Sequence, residues 1–264
     1  MGTKYGFKSA IHKELEAVET ARMRFKRKAY LPESGYKAKL FDKIPDKVNV
    51  GLESAFTKAF ELVFKHGIGI IEKGYDKKSI AAEYGIRNRE IENNRSHKDI
   101  KKLKHSAQRA DLLNMTITAA EGIGLGAVGV GIPDIVIFTG MLLKGIYEIA
   151  LRYGYDYESA KEKYFILTIM RCALSKGGEW ERLDREIDTM MREDYSIGVV
   201  ALKTAIEDTS KAFATDMLVM KFIQGLPVVG VLGGAFNPIY YNKIMKYAGN
   251  KYYKRYLIDK LKAI

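Results

Sequence analysis

The sequence holds one cysteine, one tryptophan, four histidines and five prolines in 264 residues, and each scarcity excludes something. Cys172 has no second cysteine to pair with, so an intramolecular disulfide and any cysteine-based zinc or iron–sulfur site are ruled out, and a reducing compartment is the default. The histidines His12, His66, His97 and His105 lack metal-ligand spacing, and H-E-x-x-H, G-x-S-x-G and Walker patterns are all missing. No catalytic residue, metal site or cofactor is therefore assigned, and a hydrolase of unknown substrate is a weak alternative. The chain also lacks a long uninterrupted apolar run. Beyond residue 131 the first candidate is broken by Asp134, Lys144 and Glu148. The second is free of charge from Phe222 to Tyr241 but carries Gln224, Asn237, two prolines and four glycines. A membrane-spanning helix needs about 20 mostly apolar residues, so neither is a convincing span. The N-terminal MGTKYGFKSAIHKELEAVE turns charged before a signal-peptide core can form, which favours the cytoplasmic side.

What is present is helical. Hydrophobic residues make up 47% of the chain, enough to bury a sizeable core, and their spacing is 3 and 4 almost everywhere. Ile11, Leu15, Val18 and Phe25 mark a first helix before Pro32. Leu52, Phe56, Phe60, Val63 and Phe64 mark a second. Trp180, Leu183, Ile187, Met190 and Met191 form a stripe in a charged segment, and Val199, Leu202, Ile206, Phe213, Met217, Met220 and Ile223 extend the pattern over a long helix. No segment of strand period is long enough to anchor a sheet. The expected fold is an all-α, multi-helix globular bundle, with residues 1–40 a basic N-terminal helical extension and 41–264 the main helical domain.

Charge is the second resource. Lys and Arg number 44 against 32 Asp and Glu, a net +12. The excess gathers in RMRFKRK (22–28), in RSHKDIKKLK (95–104) and in the tyrosine-rich C-terminal stretch. Such patches suit anionic lipid or nucleic acid. At the C-terminus, docking on an anionic membrane surface is expected from Lys251, Lys254, Arg255, Lys260 and Lys262. Tyr240, Tyr241, Tyr252, Tyr253 and Tyr256 would settle at the headgroups. The nucleic-acid alternative is KKSIAAEYGIRNREIENN (77–94). It has helix-turn-helix spacing with Gly85 at the turn and would offer Arg87, Asn88 and Arg89 to DNA, although Asn94 stands where an aliphatic residue should close the core.

The stretch EGIGLGAVGVGIPD (121–134) contains a formal G-x-G-x-x-G at Gly124, Gly126 and Gly129. A dinucleotide fingerprint needs a buried strand before it, a helix starting inside it and an acid closing a second strand; none of these is present. The pattern instead returns. Residues 131–154 and 225–249 each open Gly-apolar-Pro, run through an apolar glycine-containing stretch and end in Tyr-Gly or Tyr-Ala-Gly. We read a weak internal repeat of two glycine-rich helical hairpins. The first involves Gly122, Gly124, Gly126, Gly129, Gly131, Pro133 and Asp134, the second Gly225, Pro227, Gly230, Gly233 and Gly234. Glycine there would bring helices close together, with shallow lipid insertion as the minority reading. Asn237 and Pro238 look like the cap and first residue of the last helix, and Asp134 like the cap of the helix near Pro133.

AAEGIGLGAVGVGIPDIVIFTGMLLKGIYEIALRYGYD (119–156) resembles the central signature of the EcsC family, and GLPVVGVLGGAFNPIYYNKIMKYAGNKYYKRYL (225–257) resembles its C-terminal signature. The likeness covers roughly residues 40–264. Where many members have Leu-Pro-Ala-Asp, this chain has the shorter Ile132, Pro133, Asp134. The family takes its name from a gene beside a bacterial ABC transporter, and no reaction is firmly assigned to it. The resemblance implies a bacterial helical protein related to the envelope. The expected function is non-enzymatic and peripherally membrane-associated, with an ABC transporter or other envelope protein as a partner.

Overall fold

The computed structural model describes residues 3–31, 45–67, 75–113, 133–223 and 238–264, and these are all-α. Among the described residues nine α-helices follow one another: α1 (Lys4–Ala29), α2 (Asp46–Leu62), α3 (Lys77–Asn94), α4 (His97–Leu113), α5 (Pro133–Arg152), α6 (Ala160–Leu174), α7 (Gly177–Arg192), α8 (Val199–Ile223) and α9 (Pro238–Lys262). A π-helical turn, Val63–Gly67, prolongs α2. Short polar side chains start three of them. Thr3 accepts from the Gly6 N–H, Asp76 from Ser79 and Ser159 from Glu162, satisfying donors that a helix leaves unpaired in its first turn.

Two inner helices organise the bundle. The outer elements packed on α9 are α1, α4, α6 and α7; those packed on α5 are α2, α3 and α4; and α5 and α9 meet each other. α5 covers most of the first segment of the expected repeat, and α9 begins late in the second. Where they meet, Gly145 leaves room for side chains of α9. A Cβ there would lie 2.6 Å from both Met245 Sδ and the Tyr241 hydroxyl. Close helix approach through glycine thus occurs about three turns beyond Pro133. The glycines from Gly122 to Gly131 and from Gly225 to Gly234 lie outside the described residues.

The remaining helices pack as amphipathic outer elements. Trp180, Leu183, Ile187 and Met191 are buried and Met190 partly so, as the spacing in α7 requires. Phe56 and Phe60 of α2 stack around Phe213 of α8 at centroid distances of 5.3 and 5.9 Å. The reading of α8 needs one correction: Val199 is exposed, because the helix only meets its neighbours from Leu202 onward. The N-terminal helix, expected as an extension, contributes Phe7, Ile11, Val18 and Ala29 to the common core. The expected boundary at residue 40 lies outside the described residues. Pro133 opens α5 and Asp134 follows in its first turn, not at the cap position. Pro238 opens α9 as its sequence suggested, while Asn237 is outside the described residues.

Candidate functional site

The C-terminal tyrosines and cations do not form a surface array. Tyr240, Tyr241, Tyr252, Tyr253 and Tyr256 are buried, Lys251 is wholly buried and Lys254 nearly so. Each has an internal partner. The Tyr240 hydroxyl donates to the Asp216 carbonyl at 2.9 Å and Tyr252 to Glu162 at 2.6 Å. Tyr253 donates to Glu14 at 2.9 Å, and Tyr256 donates to Asn88 at 3.3 Å. Arg255 binds both oxygens of Glu162 at 2.8 and 3.0 Å, and its guanidinium lies 4.0 Å from the Tyr155 ring centre. Lys260 pairs with Glu92 at 2.6 Å, and Lys262 donates to the Met191 and Arg192 carbonyls at the end of α7. The expected docking face is therefore corrected to an inner helix. Lys251 and Arg255 are paired with the buried carboxylates Asp184 and Glu162, and taking them to lipid would leave those acids buried and short of counter-charge, while Lys260 pairs with the exposed Glu92 and Lys262 is itself exposed.

At the centre of this arrangement lies an ionic cluster. Asp184 accepts from the Tyr247 hydroxyl at 2.6 Å, from Arg22 and from Lys251. Lys251 also reaches Asp188 at 2.9 Å, and Asp188 holds Lys254 at 2.6 Å. Burial alone would raise the Asp184 carboxyl, but Lys251, Tyr247 and Arg22 together bring it below the usual range. The Cys172 sulfur touches the Tyr247 hydroxyl at 3.0 Å, and burial pushes its thiol up to about 12. It is a packed thiol, not a thiolate nucleophile. A second cluster forms on Glu14, which accepts from Tyr253, from Lys104 at 3.2 Å and from the His97 ring at 2.8 Å. Asp184, Lys251 and Glu14 are buried among these partners, while His97, Lys104 and Asp188 at the edges are partly exposed. Chemically they lock helices together. Among the described residues no group of three His, Cys, Asp or Glu side chains converges as a metal site.

The DNA-binding alternative is also corrected. Residues 77–94 form one continuous helix, α3, with no turn at Gly85. Glycine removes side-chain packing there but does not force a break. The turn comes at Arg95, in the left-handed region at φ 49°, and Ile86, which a helix-turn-helix would bury, is 53% exposed. Arg87 pairs with Glu83 at 2.9 Å, Asn88 donates to Glu92 at 2.9 Å, and Arg89 donates to the Gly85 carbonyl at 3.2 Å. Arg87 and Arg89 bond along their own helix, and Asn88 bonds both along it and to Tyr256 of α9.

The exposed charge lies elsewhere. On the last turns of α1 and just beyond, Met23, Arg24, Arg27, Lys28, Tyr30 and Leu31 are all exposed, at the 3 and 4 spacing of one helical face. Met23 is 55%, Tyr30 49% and Leu31 58% exposed. The neighbouring Lys26 turns toward α7 and pairs with Glu181 at 3.0 Å, and the Tyr30 hydroxyl donates to the same carboxylate at 2.6 Å. The basic run at 22–28 was legible in the sequence. Its alternation with outward apolar residues was not, because Met23 and Leu31 could as well have faced the core. A second basic face lies on α4, where Lys98, Lys101, Lys102 and His105 are exposed and Asp99 is buried beneath them.

A model of the EcsC protein family matches residues 9–257, from within α1 to near the end of α9. The chain belongs to the EcsC family. It is 29% identical over 124 residues to Protein EcsC of Bacillus subtilis (strain 168), a match that takes in 46% of this chain and 50% of that protein. The chain thus spans about half the length of that curated relative. No solved structure matches. Among the described residues no helix is long and apolar enough to cross a membrane.

Proposed function

We propose that this EcsC-family chain is a non-enzymatic protein that attaches peripherally to an anionic membrane, on its cytoplasmic face, through the outward side of α1. The observation that carries this reading is the exposed stripe of Met23, Arg24, Arg27, Lys28, Tyr30 and Leu31, in which cations alternate with apolar groups. Such a face gains twice at a headgroup layer: the cations meet lipid phosphate and the apolar side chains leave water. Each basic residue near an anionic surface contributes about 1 kcal/mol, so Arg24, Arg27 and Lys28 together supply about 3 kcal/mol. The attachment is salt-sensitive for the same reason. The family relationship suggests that it serves an envelope or ABC-transporter process, with a membrane-borne partner.

Cosedimentation with phosphatidylglycerol vesicles and with phosphatidylcholine vesicles, at low and high salt, tests this reading. Recovery is expected on the anionic vesicles at low salt, and Arg24→Glu with Arg27→Glu should abolish it. Equal recovery of wild type and double variant, or none on either lipid, would overturn it.

A further inference from the structure

The basic face of α1 continues onto α4. Glu14, in the first half of α1, accepts from His97 and Lys104, so α4 packs beside α1 at that level. His97, Lys101 and Lys104 follow the spacing of 4 and 3 that marks one side of a helix. The outer two hold Glu14, and Lys101 between them is exposed along the seam of α1 and α4. Lys98 and His105, about one turn to either side of Lys101, are exposed as well.

α1 brings its own cations to this seam. Each residue of a helix turns about 100° from the last. Arg22 and Lys26, which pair with α7, therefore lie to one side of the buried stripe Phe7, Ile11 and Val18. Glu14 lies to the other side, and so do the exposed Lys13, Arg24 and Lys28. Of the exposed acids of α1, Glu19 is on the α7 side, bound to Arg22, and Glu16 is on the outward face. On α4 the acid is Asp99, which is buried and held by Lys102 and Asn94. Lys98 and Lys101 have no acid within ion-pair distance among the described residues. Every exposed side chain from His97 to Ala107 is basic, and the apolar ones, Ile100, Leu103 and Ala107, are buried.

On the basis of the α1 attachment proposed above, we infer that the membrane face is two helices wide: α4 lies beside α1 on the headgroup layer, with Lys98 and Lys101 on lipid phosphates. The two helices divide the contact. α1 supplies Met23, Tyr30 and Leu31, which leave water among the headgroups, whereas α4 has only charge to offer and stays at the level of the phosphates. A nucleic acid would meet the same cations but gains nothing from the outward apolar groups that adjoin them on α1. Two helices side by side also fix the roll of the bundle on the surface, which one helix would leave free.

Acetylation of lysines by a water-soluble reagent, mapped by mass spectrometry on the full wild-type chain, tests the placement of α4. With phosphatidylglycerol vesicles Lys98 and Lys101 should lose reactivity, while the exposed Lys203 and Lys211 of α8, which packs on α2 and α6, should react as they do without lipid. Cosedimentation at about 0.1 M salt, where charges more than about 10 Å apart are screened, supplies the second readout. Each cation contributes about fivefold in affinity, so Lys98→Ala with Lys101→Ala should weaken binding about 25-fold at an unchanged thermal midpoint. Lys203→Ala with Lys211→Ala removes the same charge and should leave the affinity near wild type. If wild type binds the vesicles with Lys98 and Lys101 still reactive, or the α4 variant binds as tightly, this inference fails and the α1 reading stands. If wild type binds no anionic vesicle, both fail. Protection of the same lysines by duplex DNA and not by vesicles would overturn the inference in favour of a nucleic-acid face.

Discussion

Lys251 Nζ lies 2.6 Å from Asp184 Oδ1, and neither side chain touches solvent. An isolated buried ammonium or carboxylate would cost several kcal/mol, so this pair exists only because the cluster around it is complete. Arg22 from α1, Tyr247 from α9 and Asp188 from α7 supply the remaining contacts. Three helices far apart in the chain are thereby held in one register. Replacing Lys251 by Met leaves Asp184 and Asp188 with fewer counter-charges in a dry site. The expected loss is about 3–5 kcal/mol in urea unfolding, and a loss below about 1 kcal/mol would show that the cluster is not structural.

The acid side of the stability profile follows from Glu14. Burial would raise its carboxyl, but hydrogen bonds from His97, Tyr253 and Lys104 outweigh burial and bring it below its ordinary value. A folded value below the unfolded one means that the carboxylate stabilises the fold above the unfolded value, about 4, and loses that effect as pH falls through the folded value. The thermal midpoint of wild type should therefore exceed that of Glu14→Gln at pH 7, and the gap should close as pH drops below about 4. A gap independent of pH would mean that the charge on Glu14 is irrelevant to the fold.

Gly154 follows α5 at φ +83°, in the left-handed region, and a Cβ there would lie 2.3 Å from the Tyr84 ring. Backbone strain and collision are separable costs, of about 1–2 kcal/mol and about 1–3 kcal/mol respectively. Gly154→Ala should therefore destabilise the chain by about 2–5 kcal/mol. In a Tyr84→Ala background, which removes the ring, the same change should cost only the strain. Equal costs in the two backgrounds would show that the ring is not what Gly154 accommodates.

The helices were legible because their evidence is local. Trp180, Leu183 and Ile187 recur at helical spacing within one segment, and burial follows from that spacing alone. The role of α9 was hidden because its evidence is remote. Tyr253 meets Glu14 across 239 positions, Arg255 meets Glu162 across 93, and Lys254 meets Asp188 across 66. Read along its own length, that helix shows bases and tyrosines with a single acid, Asp259, which is also how a lipid-docking helix reads. The α3 segment misled for a different reason. Gly85 permits a turn but does not compel one, and the pairs Arg87 with Glu83 and Asn88 with Glu92 hold the helix straight through it.

Charge reversal separates the inner cations from the outer ones. Lys254 is bound to Asp188, and Arg255 grips Glu162, whose other contact is the buried Tyr252 hydroxyl. Lys254→Glu with Arg255→Glu places like charges against both carboxylates, at positions where solvent cannot screen them. That double variant should lower the thermal midpoint by roughly 10 °C or more, or fail to fold, since each lost kcal/mol moves a chain of this size by about 2–4 °C. Arg24→Glu with Arg27→Glu changes the same number of charges on an exposed face that has no acidic partner within ion-pair distance among the described residues. Its midpoint should stay within about 2 °C of wild type, because surface substitutions of this kind change stability by about 0.5 kcal/mol or less. Differential scanning fluorimetry at one protein concentration and one salt decides the comparison. If both variants kept the wild-type midpoint, the inner position of α9 would be wrong. If both lost it equally, the α1 stripe would belong to the core and could not be the face that meets lipid.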